Sequence, residues 1–459
     1  MVGFKEFMRR GLVLFQFIIV LVFQTLVFVY IWYENFARTI PNPFWNYGNY
    51  LLFLIYAVLL YIAIKMYGGN RLGFVRTSDI IYTNSIAIIL VNAIIFAQVS
   101  LIARYFVNGG PFIMMTSIQI LFIITWSFIS KTLYTHYFPP RKMLMIVGNP
   151  NSIDLKFKMD YRTNSFDIAE TVYLSEGIDF VLKKTDEYKE IIISDVSSGE
   201  RNRILKYCYR RSKRVFMTPK ISDIIIRGSQ NIHLFDTPLL LANNRGLRFE
   251  ERLIKRFVDI IGSSVGILIL SPLFLIVAIL IKLTDNGPIL YTQKRLTING
   301  KQFDIYKFRS MRVDSEKDHI ARLAMKDDER ITPVGKWLRR LHIDELPQLL
   351  NIFIGDMSIV GPRPERPDIA AEYEKYIPEF AYRLKVKAGL SGYAQVYGQY
   401  NTTPYDKLKL DLFYIENYSI WKDFNIILLT IKIMFQNEKS EGVDASQITA
   451  MQSQKDLWD

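Results

Sequence analysis

Four long apolar runs fill the first third of the chain, at Gly11–Tyr33, Tyr50–Met66, Ile80–Ala103 and Phe112–Ile129. About 20 helical residues cross the roughly 30 Å hydrocarbon core of a bilayer, so each run is long enough for, or close to, a transmembrane helix. The first run continues past the roughly 7–15 residue apolar core of a signal peptide, so a retained span is expected rather than a cleaved leader. From Met143 to about Leu241 the pattern changes to short β-type runs between polar, helix-like stretches. Met143–Val147, Glu190–Ser194 and Arg214–Met217 read as buried parallel strands, and Glu200–Ser212 as a crossover helix. That alternation predicts a small doubly wound α/β domain.

Leu247–Asp259 then mixes four cations with six apolar side chains, the composition of a helix lying in a membrane interface. Ile260–Leu283 follows as an apolar run broken at its centre by Ser271-Pro272. Proline removes a helical hydrogen bond and crowds the preceding turn, so a bend is expected there. Each half measures roughly 16 Å, too short to cross alone. Leu408–Tyr418 and Ile420–Phe435 read as amphipathic or apolar helices able to lie on a bilayer, and the chain after Gln436 is a polar tail.

The predicted fold class is a membrane α-helical bundle plus α/β. It comprises a four-helix transmembrane bundle over 1–135, a degenerate Rossmann-like domain over 140–242, and a C-terminal α/β domain over 247–436. That last domain carries the re-entrant helix 260–283, and the polar tail occupies 437–459.

Charge sets the orientation. The 459 residues include 57 Lys and Arg against 44 Asp and Glu, a net +13, yet half the chain is hydrophobic, which excludes a disordered basic tail. Lys5, Arg9 and Arg10 precede the first span, Arg71 and Arg76 separate the second from the third, and Lys131, Arg141 and Lys142 follow the fourth. The positive-inside rule places these loops, and everything after residue 131, in the cytoplasm. Lys294, Arg295, Lys301, Lys307 and Arg309 follow 260–283 as densely as cations precede it. A re-entrant hairpin that returns the chain to the same side is therefore preferred over a fifth span. The single Cys208 excludes a disulfide framework, and His136, His233, His319 and His342 lie far apart. The +13 charge accompanies apolar membrane segments rather than a reading helix, so no nucleic-acid partner is expected.

Candidate chemistry lies between residues 287 and 396. Lys307-Phe308-Arg309-Ser310-Met311 ends a strand-like run, Gly361-Pro362-Arg363-Pro364 is a rigid turn presenting one guanidinium, and Arg383, Lys385 and Lys387 lead into a polar loop from Gly389 to Val396 that includes Gln395. Any one cluster could be a solvated basic face, whereas their joint presence beside an amphipathic membrane segment suits phosphate binding. Asp344-Glu345-Leu346-Pro347 is the acidic counterpart. Proline is favoured in the first helical turn, so a helix is expected from about Leu346, with both carboxylates at its N-terminal edge. One carboxylate can attack phosphorus while the other holds Mg²⁺, although capping alone would also account for the pair. After Val147, Gly148-Asn149-Pro150-Asn151-Ser152 has one glycine where a dinucleotide fingerprint has three, which favours a packing or oligomer-contact role over cofactor binding.

In order and density, Lys307–Met311, Ile343–Asn351 and Gly355–Pro364 closely resemble the bacterial sugar transferases, which are polyprenyl-phosphate hexose-1-phosphate transferases. The likeness covers about residues 250–435, and the preceding bundle and α/β domain resemble the large, capsule- and exopolysaccharide-initiating branch. It implies a monotopic phosphoglycosyl transferase whose Ser271-Pro272 break belongs to a re-entrant helix. It further implies Asp344 as nucleophile, Glu345 as Mg²⁺ ligand, and Lys307, Arg309, Arg363, Arg383, Lys387 and Gln395 as substrate or phosphate contacts. The implied partners are a UDP-hexose (glucose or galactose), undecaprenyl phosphate and the inner face of the bacterial cytoplasmic membrane; the α/β domain and the bundle offer surfaces for a homodimer. Where the family often has Arg-Pro-Gly, this chain has Lys387-Ala388-Gly389. His342 is expected to be a local hydrogen-bonding residue rather than a base. The competing readings are a membrane-anchored assembly or sensor protein with a vestigial transferase segment, and a nucleotide-sugar oxidoreductase or dehydratase acting through the α/β domain.

Overall fold

The structure, a computed structural model, describes residues 2–38, 46–70, 72–73, 75–148, 155–156, 159, 166–242, 246–285, 287–312, 330–398 and 402–434. Asn149–Ser152, His319, Arg71 and the tail 437–459 lie outside them. The chain divides into two compact units, Met1–Thr218 and Pro219–Asp459.

The first unit begins with four helices, α1 (Val2–Asn35), α2 (Asn46–Tyr67), α3 (Thr77–Ala103) and α4 (Gly110–Tyr137), each long and apolar enough to cross a membrane. Where apolar side chains face apolar surroundings, interhelical hydrogen bonds supply the specificity. Here Gln119 Nε2 donates to the Tyr56 hydroxyl (2.8 Å), Tyr56 donates to Asn92 Oδ1 (3.1 Å), and Asn92 Nδ2 donates to Gln119 Oε1 (2.8 Å), while Gln24 and Gln119 exchange side-chain donors with each other's carbonyls.

The same unit continues as a parallel sheet of β1 (Lys142–Val147), β2 (Asp167–Tyr173), β3 (Glu190–Ser194) and β4 (Arg214–Met217), in the order β2-β1-β3-β4. Helices α5 (Ile178–Thr185) and α6 (Ser198–Arg210) make the crossovers. β1 and β3 are buried along nearly their whole length, as strands covered on both faces are. β2 was not legible in the sequence, because its Asp167, Glu170 and Thr171 dilute the apolar signal of an edge strand. Gly148 ends β1 where the backbone of β3 passes: its N–H donates to the Ser194 carbonyl (3.0 Å), and a Cβ at this position would lie 2.0 Å from the Asp195 carbonyl oxygen. The glycine serves this crossing of two chains.

The second unit opens with α7 (Ile221–Gly228) and the hairpin β5 (Gln230–Leu234) and β6 (Thr237–Leu241). Gly228 packs on Glu416 and Arg227 lies over the Phe413 ring, contacts that join 219–242 to this unit rather than to the sheet. Next comes α8 (Phe249–Asp285), one helix covering both the amphipathic and the apolar stretches read separately from the sequence. It runs through Pro272, and the Ser271 hydroxyl donates to the Leu268 carbonyl (2.8 Å), the group that Pro272 leaves without an N–H.

The remainder is built on α8. β7 (Leu290–Leu296) and β8 (Gln302–Phe308) form an antiparallel hairpin, followed by α9 (Pro333–Arg340), α10 (Gln348–Ile354), β9 (Met357–Val360), α11 (Pro367–Tyr376), β10 (Ala388–Ser391), α12 (Tyr393–Tyr397), α13 (Pro404–Glu416) and α14 (Ile420–Met434). Ile267, Leu270 and Phe274 of α8 pack on a core of Phe303, Ile305, Leu349, Ile352, Met357 and Ala388. Val277 and Ile281 pack with Phe308, Leu338 and Ile343. The opposite face, including Phe257, Ile261, Leu268, Ile269, Leu275 and Ile276, is exposed. At its N-terminal end Lys255 Nζ meets Asp423 Oδ2 (2.6 Å) and the Tyr414 hydroxyl (3.1 Å), and Tyr414 donates to Asp423 Oδ1 (2.8 Å). Asp259 Oδ1 accepts from Ser358 Oγ (3.0 Å) and Ile359 N–H (2.9 Å), tying the helix to β9.

Removing one member of a buried ion pair leaves an uncompensated charge. Asp423→Ala should destabilise the protein by about 3–5 kcal/mol, and Lys255→Met with Asp423→Leu should restore most of that loss. Denaturant titration in detergent checks both.

Candidate active site

Three segments converge on the Asp344–Glu345 pair. β8 alternates, with Phe303 and Ile305 turned inward, and Lys307 is the next residue of that inward row. Asn351 of α10 fixes this strand end, donating to the Asp304 carbonyl (2.8 Å) and accepting from the Tyr306 N–H (2.9 Å). The acidic pair occupies a short 3-10 turn, Ile343–Glu345, entered through His342 in the left-handed region at φ 55°. The third segment is the Gly361–Pro364 turn after β9. There the chains of β9 and β10 touch: a Cβ on Gly361 would lie 2.3 Å from the Lys387 carbonyl oxygen, and one on Gly389 2.0 Å from the Gly361 nitrogen. Glycine at both positions permits the approach.

The helix expected from Leu346 starts at Gln348 and has only seven residues, with Pro347 just before it. The carboxylates therefore sit on a turn of their own, and side-chain cations instead of a helix end balance Glu345. Glu345 Oε1 accepts from Lys307 Nζ (2.7 Å) and Arg363 Nη2 (2.8 Å), and Oε2 lies 3.4 Å from Arg363 Nη1. Asp344 is 9 % exposed and makes no hydrogen bond or ion pair among the described residues.

The two carboxyls consequently titrate apart. Burial, with the negative Glu345 beside it, pushes Asp344 up to about 6. Burial also acts on Glu345, but the Arg363 and Lys307 cations outweigh it and hold that carboxyl well below its ordinary range. The charge of Glu345 raises Arg363 in turn. Burial lowers His342, and its Nδ1 is buried without a partner among the described residues. An ionised, unpaired carboxylate of raised basicity beside fixed cations can attack an electrophilic phosphorus.

The other sequence candidates are each held by the surrounding fold. Arg309 is buried just beyond β8, its N–H on the Ile289 carbonyl (3.0 Å). Arg383 is buried against Asp411 (2.8 Å) and the Arg363 carbonyl (2.9 Å). Lys387 donates to the Gly355 carbonyl (2.6 Å) and burial lowers its pKa. Gln395 Nε2 donates to the Leu390 carbonyl (3.1 Å). The structure thus brings Lys307 and Arg363 onto the carboxylate pair, whereas Arg383, Lys387 and Gln395 each bond a backbone carbonyl. Sequence reasoning gave no role to Asn351, Asp411 or Asp259. Asp411 had a signal, since it occupies the inward stripe of α13 with Leu408, Leu412 and Ile415.

Residues 250–437 match the family model described as bacterial sugar transferase. The chain is similar to the UDP-N-acetylgalactosamine-undecaprenyl-phosphate N-acetylgalactosaminephosphotransferase of Aeromonas hydrophila, 39% identical over 52% of this chain and 56% of that protein. It is similar to the galactosyl transferase CpsE of Streptococcus agalactiae, 43% identical over 45% of this chain and 48% of that protein. It also resembles the exopolysaccharide production protein PSS of Rhizobium leguminosarum, 41% identical over 39% of this chain and 94% of that protein. The match spans about half the length of the first two relatives.

An Asp whose folded pKa lies above its unfolded value costs stability once ionised, and that cost disappears as pH falls below the unfolded value. Asp344→Asn should therefore raise the unfolding midpoint at pH 8 by several degrees, and the gain should vanish near pH 4. Thermal melts at the two pH values check this.

Proposed function

The chain belongs to the bacterial sugar transferase family, and we propose that it transfers a hexose 1-phosphate from a UDP-hexose to undecaprenyl phosphate, initiating a lipid-linked polysaccharide. The observation that carries the reading is the unequal pair: Asp344 without a hydrogen bond or ion pair among the described residues and raised to about 6, Glu345 held by two cations. An Asp344 oxygen attacks the sugar-bearing phosphorus, the bond from that phosphorus to UMP breaks, and UMP leaves with the bond's electrons. The result is an aspartyl sugar phosphate. An oxygen of undecaprenyl phosphate then attacks the same phosphorus, the bond to Asp344 breaks, and the free carboxylate returns with the lipid diphosphate sugar as product. The acceptor oxygen is already anionic near neutral pH, so neither step needs a strong base. Lys307 and Arg363 balance the charge that moves during transfer.

Glucose and galactose are the first sugars to test. Mg²⁺ suits the donor set, since it needs only one or two carboxylates when phosphate oxygens supply the rest, and Glu345 Oε2, whose Arg363 contact is the longer at 3.4 Å, is the oxygen to hold it. When bound, the ion withdraws charge from the diphosphate and steadies the leaving UMP. The membrane placement rests on the exposed apolar face of α8, continued by Phe353 and Ile354 of α10 and by Trp421 and Phe424 of α14. Because residues on both sides of Pro272 pack on one domain, a re-entrant helix that keeps this unit on the cytoplasmic side fits better than a full span.

The test uses the full-length protein in nanodiscs, with a panel of UDP-hexoses and undecaprenyl phosphate. UMP release is expected with at least one donor, together with an adduct of sugar-phosphate mass on the peptide containing Asp344. Adduct formation should rise with pH through about 6 and level off above 7, because only the ionised carboxylate attacks. Asp344→Asn should abolish both adduct and release; full turnover in this variant, or an adduct on another residue, overturns the assignment. Glu345→Gln should weaken the Mg²⁺ dependence.

A further inference from the structure

Four consecutive carbonyls in the turn that carries Arg363 each accept from a donor outside it. The Pro362 carbonyl accepts from the Gly389 N–H (2.9 Å), Arg363 from Arg383 Nη2 (2.9 Å), Pro364 from Arg295 Nη1 (3.2 Å) and Glu365 from the Leu296 N–H (3.0 Å). The Gly361 N–H donates to the Ser391 carbonyl (2.8 Å). Prolines at 362 and 364 fix φ on either side of Arg363. Four of the five carbonyls of this turn are thus held from outside it, two of them by guanidinium groups, those of Arg383 and Arg295.

Arg383 is 4 % exposed, and the protein already occupies its fork. Nη2 lies 2.8 Å from Asp411 Oδ2, and Nη1 lies 3.4 Å from Glu365 Oε1. Asp411 is 1 % exposed on α13. A buried pair of this kind contributes little net stability, because desolvation offsets the attraction, but it is a strict geometric constraint. The constraint acts on the backbone of Arg363, whose own side chain is half exposed and has many rotamers.

We propose that Arg383, anchored by Asp411, is a positioning residue for Arg363: it fixes the turn so that the Arg363 guanidinium stays forked on Glu345 beside Asp344. The inference rests on Arg363 serving the phosphate chemistry proposed above, and it removes Arg383 from the groups that touch substrate. Lysine at 383 keeps the charge but cannot hold Asp411, Glu365 and the Arg363 carbonyl in one planar fork.

The experiment compares UMP release by the full-length protein in nanodiscs for Arg363→Ala, Arg383→Lys, Asp411→Asn and the two doubles that combine Arg363→Ala with each of the others. Thermal melts accompany every variant. Arg383→Lys and Asp411→Asn should each lower kcat roughly tenfold or more, as displaced catalytic groups do. Arg363→Ala should lose on the order of 100-fold. Each double should match Arg363→Ala to within about twofold, because a residue acting through Arg363 has nothing left to position. Doubles that fall by the product of the single losses overturn the positioning role and leave Arg363 in place. Arg363→Ala at full rate overturns the reading of Arg363 and this inference with it. Should Arg383→Lys unfold, the Asp411→Asn pair gives the same comparison, and a folded Asp411→Asn at the unaltered rate also overturns the proposal.

Discussion

The bond between Glu345 and its two cations, Lys307 and Arg363, next to an Asp344 that has neither, forces three separate stretches of chain to meet: the end of β8, the 3-10 turn and the turn after β9. The cations neutralise one of two adjacent carboxylates, and only then can the other be buried, raised in basicity and still ionised near neutral pH. Much of the surrounding structure keeps those stretches in place. Asn351 locks β8, the crossing of Gly361 and Gly389 locks β9 against β10, and backbone donors together with the buried Arg383 and the half-buried Arg295 hold the turn.

The same unit uses α8 in two ways at once. One face completes the cores that carry Phe303, Ile305, Met357 and Phe308, while the other remains apolar and exposed. Asp259 and Lys255 add direction to that apolar contact. A greasy helix could slide or rotate on its domain with little change in buried area, whereas the bonds from Asp259 to Ser358 and Ile359 admit one register. The register matters because β9, gripped by Asp259, runs directly into Gly361. In the first unit the Tyr56, Asn92 and Gln119 network gives the apolar bundle the same kind of specificity.

Much of the layout is legible in the sequence alone. The four apolar runs became helices that extend past them, by as much as two turns or more in α1 and α4, and three sheet strands lie where their β-type runs stood. The misses have physical causes. Edge strand β2 carries polar residues because it is covered less completely, and α8 was read as two pieces because its composition changes from amphipathic to apolar after Asp259, although one continuous backbone run carries both. The lone Gly148 was weighed against nucleotide fingerprints, while its use is a backbone contact with a strand about 45 residues later, beyond the reach of any local motif.

The sequence by itself determined which chemistry was present: adjacent carboxylates, clustered cations, apolar segments of membrane length and a proline-bounded arginine. It did so because residue type and short-range spacing express charge, periodicity and turn preference directly. Only the tertiary structure decided how those groups divide the work. It put Lys307 and Arg363 on Glu345, left Asp344 without a partner among the described residues, and turned Arg383 inward onto Asp411. Side chains of one chemical kind differ in such roles through burial and through neighbours 18 to 38 positions away, and a linear pattern carries neither.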